Sequence, residues 1–385
     1  MRTAYILTPI EFAGAESVSL AFLRHVDRSR HDIRPITLVR PWERENLFVQ
    51  RLEKENYPIA RVPVAIRAQT EGSDYLRVVR CYRMIRALLQ QGCFDLVHTH
   101  GYFADLVGIP AAKQLNIPTL STCHGFISNT LKYRFYNMCD RMALRFSTRV
   151  IAVSEGIKMN LVKHGVRESQ ITVIQNAVNN SGDRDSAARN RQKIRNRLAL
   201  GDHAFVLGYV GRLSREKGIV SLIEACAMLR DNGVPVTAVI IGEGPQRPEL
   251  QALVKHHRLE GVICFAGFQH DVQDWLPALD VFVLPSLTEG TPMSLLEAMA
   301  SNLPVVASAV GGIPQVLSTE QNGILVPPGE PGEIRRAVQR LYDDRALRDR
   351  IARAAGRTVQ ERYGIRDWVD KIEQEYIKTR DRCDR

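Results

Sequence analysis

Two stretches of the chain put cations and carboxylates where a strand-like run gives way to a helix-like one. GRLSREKG, residues 211–218, sets Arg212 and Lys217 just ahead of a helix-like segment. A planar guanidinium fork and a compact ammonium together suit a diphosphate. On its own the segment also fits a solvated basic loop. PSLTEGTPMSLLEAMA, residues 285–300, sets Glu289 in a loop and Glu297 eight residues further on, along a helix that should start near Pro292. Such a helix presents the free N–H groups of Met293 and Ser294, which bind phosphate oxygens. The two carboxylates can accept hydrogen bonds from sugar and ribose hydroxyls. Singly, Glu289 also fits a helix-dipole carboxylate and Glu297 a surface one; the spacing makes the pair more specific.

Two further groups share that placement. Glycine-rich loops IGEGP (241–245), SAVGGIP (308–314) and FAGAE (12–16) each follow a strand-like run. Glycine permits close backbone approach there, as a phosphate-lined site requires, and equally permits an ordinary turn. Histidines end two runs of the first half, His98 and His100 in VHTHG and His124 in STCHG. A neutral imidazole can bond a sugar hydroxyl and a protonated one can stabilise developing charge. His98 reads as a packed core residue, whereas His124, followed by Gly125, reads as functional.

These residues need strands that end together. Apolar, β-branched runs occur at 3–8, 33–39, 96–99, 119–122, 150–153 and 171–174, with helix-like stretches such as 16–26, 75–91 and 102–114 between them. After a polar segment at 179–200 the pattern restarts, with runs at 204–210, 236–241, 262–266, 281–284, 304–307 and 324–326. Strand–helix alternation predicts parallel sheets, and ligands of such sheets bind beyond the carboxyl ends of the strands. The expected fold is α/β, two doubly wound Rossmann-like domains facing across a cleft. The charged helix at 366–383 has no strand after it and is expected to cross back to the first domain.

Composition narrows the classes. The chain has 385 residues, 45% of them hydrophobic, and no apolar run near the ~20 residues of a bilayer span. The seven cysteines lack CxxC spacing, which argues against a zinc site or disulfide framework and for a reducing compartment. Of the net charge of +10, residues 1–180 hold +9 (24 Lys+Arg against 15 Asp+Glu). Part of it is YLRVVRCYRMIRALL (75–89), where Arg77, Arg80, Arg83 and Arg86 recur beside apolar positions. A second cluster is Lys132, Arg134, Arg141 and Arg145 around Tyr133, Phe135 and Tyr136. Both suit an anionic membrane surface, and both suit solvated or domain-packing faces. No nucleic-acid recognition module accompanies the basic charge.

The order GRL-x3-KG, IGEGP, FAGF, PS-x2-EG-x6-E-AMA and PVVAS-x2-GG resembles the retaining glycosyltransferases of family GT4, whose fold is GT-B. GAE at 14–16, VHTHG, STCHG, AVSEGIK and QNAV add to the likeness. The resemblance implies an acceptor-side domain over 1–180, a nucleotide-sugar domain over 181–365 and a returning helix over 366–385. It implies donor diphosphate contacts from Gly14, Arg212, Lys217, Met293 and Ser294. Glu289 would touch the transferred sugar, Glu297 the ribose, and His124 the reacting sugar; Ala15, Glu16 and His100 are acceptor-side candidates. It departs from the pattern at Ala13-Gly14, for the usual double glycine, and at Asn176-Ala177, for the usual Asn-Gly, where a positive φ comes into question.

The expectation is therefore a retaining hexosyltransferase that moves a sugar from a nucleotide-diphosphate donor, UDP by frequency of use, to a glycan or lipid-linked acceptor. No strand-end loop carries a paired carboxylate for Mg²⁺, so no metal or cofactor is expected; Arg212, Lys217 and helix N–H groups would carry the leaving-group charge. The expected setting is cytoplasmic, with peripheral attachment to the membrane face. A GT-B nucleotide-sugar epimerase is the alternative.

Overall fold

The computed structural model describes residues 1–9, 14–40, 46–64, 74–126, 131–178, 184–201 and 204–381; the side chains of 15, 74, 75, 131–133 and 184 are outside that description. The described chain divides into two compact units. One comprises Met1–Asn176 with Ile365–Arg385, the other Ala177–Gly364.

The first unit runs β1 (Arg2–Leu7), α1 (Gly14–His25), β2 (Asp32–Val39), α2 (Leu47–Lys54), β3 (Ala60–Pro63), α3 (Asp74–Gly92), β4 (Leu96–His100), α4 (Tyr102–Gln114), β5 (Thr119–Cys123), α5 (Leu131–Leu144), β6 (Arg149–Ala152), α6 (Glu155–Lys163) and β7 (Ile171–Val173). Its strands pair in the order β3-β2-β1-β4-β5-β6-β7, all parallel. Strands covered on both faces need apolar residues on both, and β1 is buried from Thr3 to Leu7. One face carries Ala4, Ile6, Ile36, Leu38 and Val97 against Cys81, Ile85 and Leu89 of α3 and Val107 of α4.

The second unit runs α7 (Arg184–Arg197), β8 (Phe205–Val210), α8 (Ile219–Asp231), β9 (Val236–Ile241), α9 (Arg247–His256), β10 (Ile263–Gly267), β11 (Val281–Leu284), α10 (Met293–Ala300), β12 (Val305–Ser308), α11 (Ile313–Val316), β13 (Ile324–Val326), α12 (Pro331–Asp343) and α13 (Arg345–Arg362). Its parallel sheet has the order β10-β9-β8-β11-β12-β13. In each sheet the winding reverses once, between β1 and β4 and between β8 and β11. Those reversals are where a doubly wound sheet opens a binding crevice.

The last helix, α14 (Ile365–Asp381), belongs to the first unit and packs on α1, β4 and β5. Trp368, Val369, Ile372 and Tyr376 are buried. Trp368 and Tyr376 meet Phe22 edge-on, with centroids 6.2 and 5.8 Å away. Glu375 receives Arg149 Nε at 2.5 Å, and Glu373 accepts from the Asp27 backbone N–H at 3.2 Å. Burying four large side chains at roughly 1.5–3 kcal/mol each makes α14 part of the first unit's core. Trp368→Ala is therefore expected to destabilise that unit by roughly 3–5 kcal/mol. Urea unfolding should show an earlier midpoint for one transition; an unchanged midpoint would show that α14 is dispensable.

Candidate active site

In the second unit the two loops at the reversal point touch. The loop after β8 carries Arg212 and Lys217; the loop after β11 carries Glu289. Lys217 Nζ donates to Glu289 Oε1 at 2.7 Å, and Ser286 Oγ donates to the same oxygen at 2.7 Å. The Glu289 side chain is 8% exposed and that of Lys217 24%. Backbone contact closes the arrangement: Leu287 N–H donates to Glu216 O at 2.8 Å. Gly218 has φ +61°, and a Cβ there would run into the Pro285 carbonyl. Gly311, φ +56°, lies as tightly over the Glu289 carbonyl. These glycines allow one strand-end loop to rest on another. Arg212 is exposed with no ion pair among the described residues, while its carbonyl accepts from Tyr209 Oη at 3.0 Å.

Helix α10 follows directly. It begins after Pro292 without a side-chain cap and without an acid in its first turn, so the Met293 and Ser294 N–H groups have no partner from either source. Glu297, one turn in, is partly buried and makes no ion pair among the described residues; burial raises its pKa to about 7. Two cations, an open helix start and a carboxylate without an ion pair thus stand at the carboxyl ends of the two central strands. The first three can take phosphate charge and the last can accept from a diol.

In the first unit the histidines cluster. His98 is fully buried, with Nδ1 2.8 Å from Tyr376 Oη and Nε2 2.8 Å from Thr122 Oγ1. Burial holds it neutral, with a pKa of about 3. The His100 ring lies 4.2 Å from that of His98. Its Nδ1 is 3.3 Å from Nε2 of His124, while its own Nε2 is buried without a partner among the described residues. His124, just past β5, has its pKa lowered to about 4 by burial. A neutral ring can donate or accept one hydrogen bond at each nitrogen but brings no charge of its own. The site therefore favours the neutral role for His124. Gly14 is the exposed first residue of α1; the Ala15 side chain is outside the described residues, as are Phe12 and Ala13; Glu16 is buried and already engaged. Neither Asn176 nor Ala177 has a positive φ.

Two features were faint or silent in the sequence. Ser286 fixes Glu289, and only the Pro-Ser before the glutamate hinted at it. Asp105 of α4 and Asp140 of α5 form a buried carboxyl pair. Asp105 accepts from Thr99 Oγ1 and, at 2.7 Å, from Ser121 Oγ. Burial and the neighbouring Asp105 charge hold the Asp140 pKa well up, so it stays protonated and bonds Asp105. The pair ties both helices to β4 and β5, just upstream of His100 and His124. Among the described residues no group of three or more His, Cys, Asp or Glu is placed to hold a metal ion, and no helix is long and apolar enough to cross a membrane.

Two doubly wound parallel-sheet units, the second with cations and an open helix start at its reversal point, have the architecture of the GT-B class. The chain belongs to the family 4 glycosyltransferases: Glycosyltransferase Family 4 matches residues 12–181 and Glycosyl transferases group 1 matches residues 190–358. It is 30% identical over 290 residues to the 2-deoxystreptamine glucosyltransferase of Streptomyces kanamyceticus, covering 70% of this chain and 74% of that one. It is 28% identical over 326 residues, 82% of each chain, to the Escherichia coli UDP-Gal:alpha-D-GlcNAc-diphosphoundecaprenol alpha-1,3-galactosyltransferase. Anabaena HepE, solved in complex with UDP-glucose, shares the fold with a TM-score of 0.84 at 22% identity, over 98% of this chain and 100% of that one.

Glu297 generates a pH test. The folded chain holds its proton up to about 7, whereas an unfolded glutamate loses it near ~4.3. Unfolding between those values releases a proton, so this group's contribution to stability falls as pH rises through the window and levels off above it. Glu297→Gln should therefore gain melting temperature relative to the parent at about pH 8.5 compared with about pH 5. An equal difference at both pH values would show that Glu297 is not desolvated.

Proposed function

We propose that the protein transfers a sugar from a UDP-sugar to a glycan or lipid-linked acceptor, with retention of configuration and without a metal, in polysaccharide or glycolipid biosynthesis at the cytoplasmic side of a membrane. The observation that carries this reading is the Lys217–Glu289 pair beside Arg212 and the uncapped start of α10, all at the reversal point of one sheet. The relatives support the donor and the acceptor class, since one is named for UDP-Gal and a diphosphoundecaprenol-linked acceptor.

Breaking the bond between sugar and diphosphate gives an oxocarbenium-like sugar and an anionic leaving group. Charge grows on the phosphate, where Lys217, Arg212 and the Met293 and Ser294 N–H groups can meet it. Lys217 exchanges a carboxylate partner for a phosphate one, leaving Glu289 oriented by Ser286 for a sugar hydroxyl. Glu297 accepts from the ribose. His124, neutral, bonds a sugar hydroxyl.

The roles separate kinetically. Lys217→Ala loses an interaction that strengthens in the transition state, so kcat should fall by ~10²-fold. Glu297→Gln loses binding common to ground and transition states, so donor KM should rise with kcat little changed. Steady-state kinetics with donor varied and acceptor saturating, in EDTA throughout, tests both. A KM-only effect at Lys217, or turnover restored only by Mg²⁺ or Mn²⁺, would refute the assignment.

A further inference from the structure

Helix α5 is apolar on two opposite sides. Its inner side buries Asn137, Asp140, Ala143 and Leu144 and packs against α4. The opposite side points Phe135, Met138 and Met142 to solvent at 57%, 50% and 52% exposure, and Phe146, just past the helix, continues the row at 60%. At ~100° per residue these four positions fall within about 80° of one another, a single stripe roughly 16 Å long. Scattered exposed apolar residues need no explanation, but a contiguous row of large ones does. The end of α6 is held near the end of this row. Arg145 Nε and Nη2 donate to His164 O at 2.9 and 2.6 Å, pinning the end of α6 beside the end of α5. Met159 and Val162 of α6 are also exposed.

Along α5 the exposed charge beside this stripe has one sign, whereas at α6 Lys158 is paired with the exposed Glu168 at 2.9 Å. Arg134 and Arg145 are exposed, and Lys113 Nζ stands 4.4 Å from the centroid of the Phe146 ring. Over residues 131–146 the one acid is Asp140, and it is buried and protonated on the inner side. The arginines of α3 are less available. Arg77, Arg80 and Arg86 are half-buried, Arg80 Nη2 donates to Val64 O at 2.9 Å, and Arg83 alone of the four is exposed.

We propose that the outer face of α5, with the end of α6, is a docking surface for an anionic lipid bilayer. The helix lies in the interface plane, its Phe and Met side chains at the acyl boundary and Arg134, Arg145 and Lys113 at the headgroup phosphates. Unbranched methionines suit a fluid, unspecific apolar partner. This reading locates membrane attachment on α5 rather than on the α3 arginines. It rests on the proposed function only for its purpose, the presentation of a lipid-linked acceptor.

The test is flotation of the full chain with phosphatidylcholine vesicles, with and without phosphatidylglycerol, in the absence of donor and acceptor. Binding should appear on the anionic vesicles at low salt and weaken as salt screens the headgroups. M138Q/M142Q should lower it by about tenfold or more while leaving the melting temperature within a degree or two, because both side chains already face water. A Phe146→Trp reporter should shift its emission to the blue on anionic vesicles. Equal binding by the parent and M138Q/M142Q would overturn the proposal. So would absent vesicle binding, whether or not sedimentation shows a dimer that M138Q/M142Q dissolves; a dimer would mean the face meets a second copy. Donor binding is not part of this readout, so failure of the donor assignment and failure of the docking surface are told apart.

Discussion

The Lys217–Glu289 ion pair is the contact on which the second unit's site depends. The two residues are 72 positions apart, and they meet because the sheet reverses its winding between β8 and β11. Partly withdrawn from water, the pair resists salt screening more than an exposed one. It holds a lysine and a carboxylate in register before any ligand arrives. The glycines around it serve that geometry: Gly218 and Gly311 let three strand-end loops stack carbonyl against backbone. Among the described residues, Arg212 and Glu297 make no ion pair and the start of α10 has no side-chain cap; Arg212 is exposed and Glu297 is partly buried.

The first unit uses burial in place of ion pairs at its own reversal point. His98, His100 and His124 form a row of neutral rings along the ends of β4 and β5, and α14 supplies the Tyr376 hydroxyl that ends it. An imidazole at a pKa of about 4 cannot serve as a permanent cation near neutral pH. The Asp105–Asp140 pair beneath the same strand ends keeps α4 and α5 in place from the inner side, while α5 turns an apolar stripe outward.

Much of this was legible in the sequence. The β-branched runs located twelve of the thirteen strands, because parallel strands buried on both faces read as continuous apolar stretches. The thirteenth of the described strands, β3, reads ARVP, pairs with β2 alone and ends in a proline, so its residue pattern did not distinguish it from a loop. Residue types at strand ends pointed to Arg212, Lys217, Glu289 and His124. Their partners were not legible, since pairing across 72 residues, or between Asp105 and Asp140, depends on which strands become neighbours. The α3 arginines left two readings open, a membrane-facing stripe or a solvated or packing face; their three-residue spacing drifts around a helix, and three of the four are half-buried.

Calorimetric titration of UDP and UDP-glucose into the parent, Lys217→Ala and Glu289→Gln tests the central division of labour most directly. UDP has the diphosphate and lacks the transferred sugar. Lys217→Ala should weaken UDP by about tenfold or more, the scale of a lost charge-assisted contact. Glu289→Gln should leave UDP nearly unchanged and weaken UDP-glucose. UDP binding unaffected at Lys217→Ala would contradict the account, because the strand-end lysine would then hold no diphosphate.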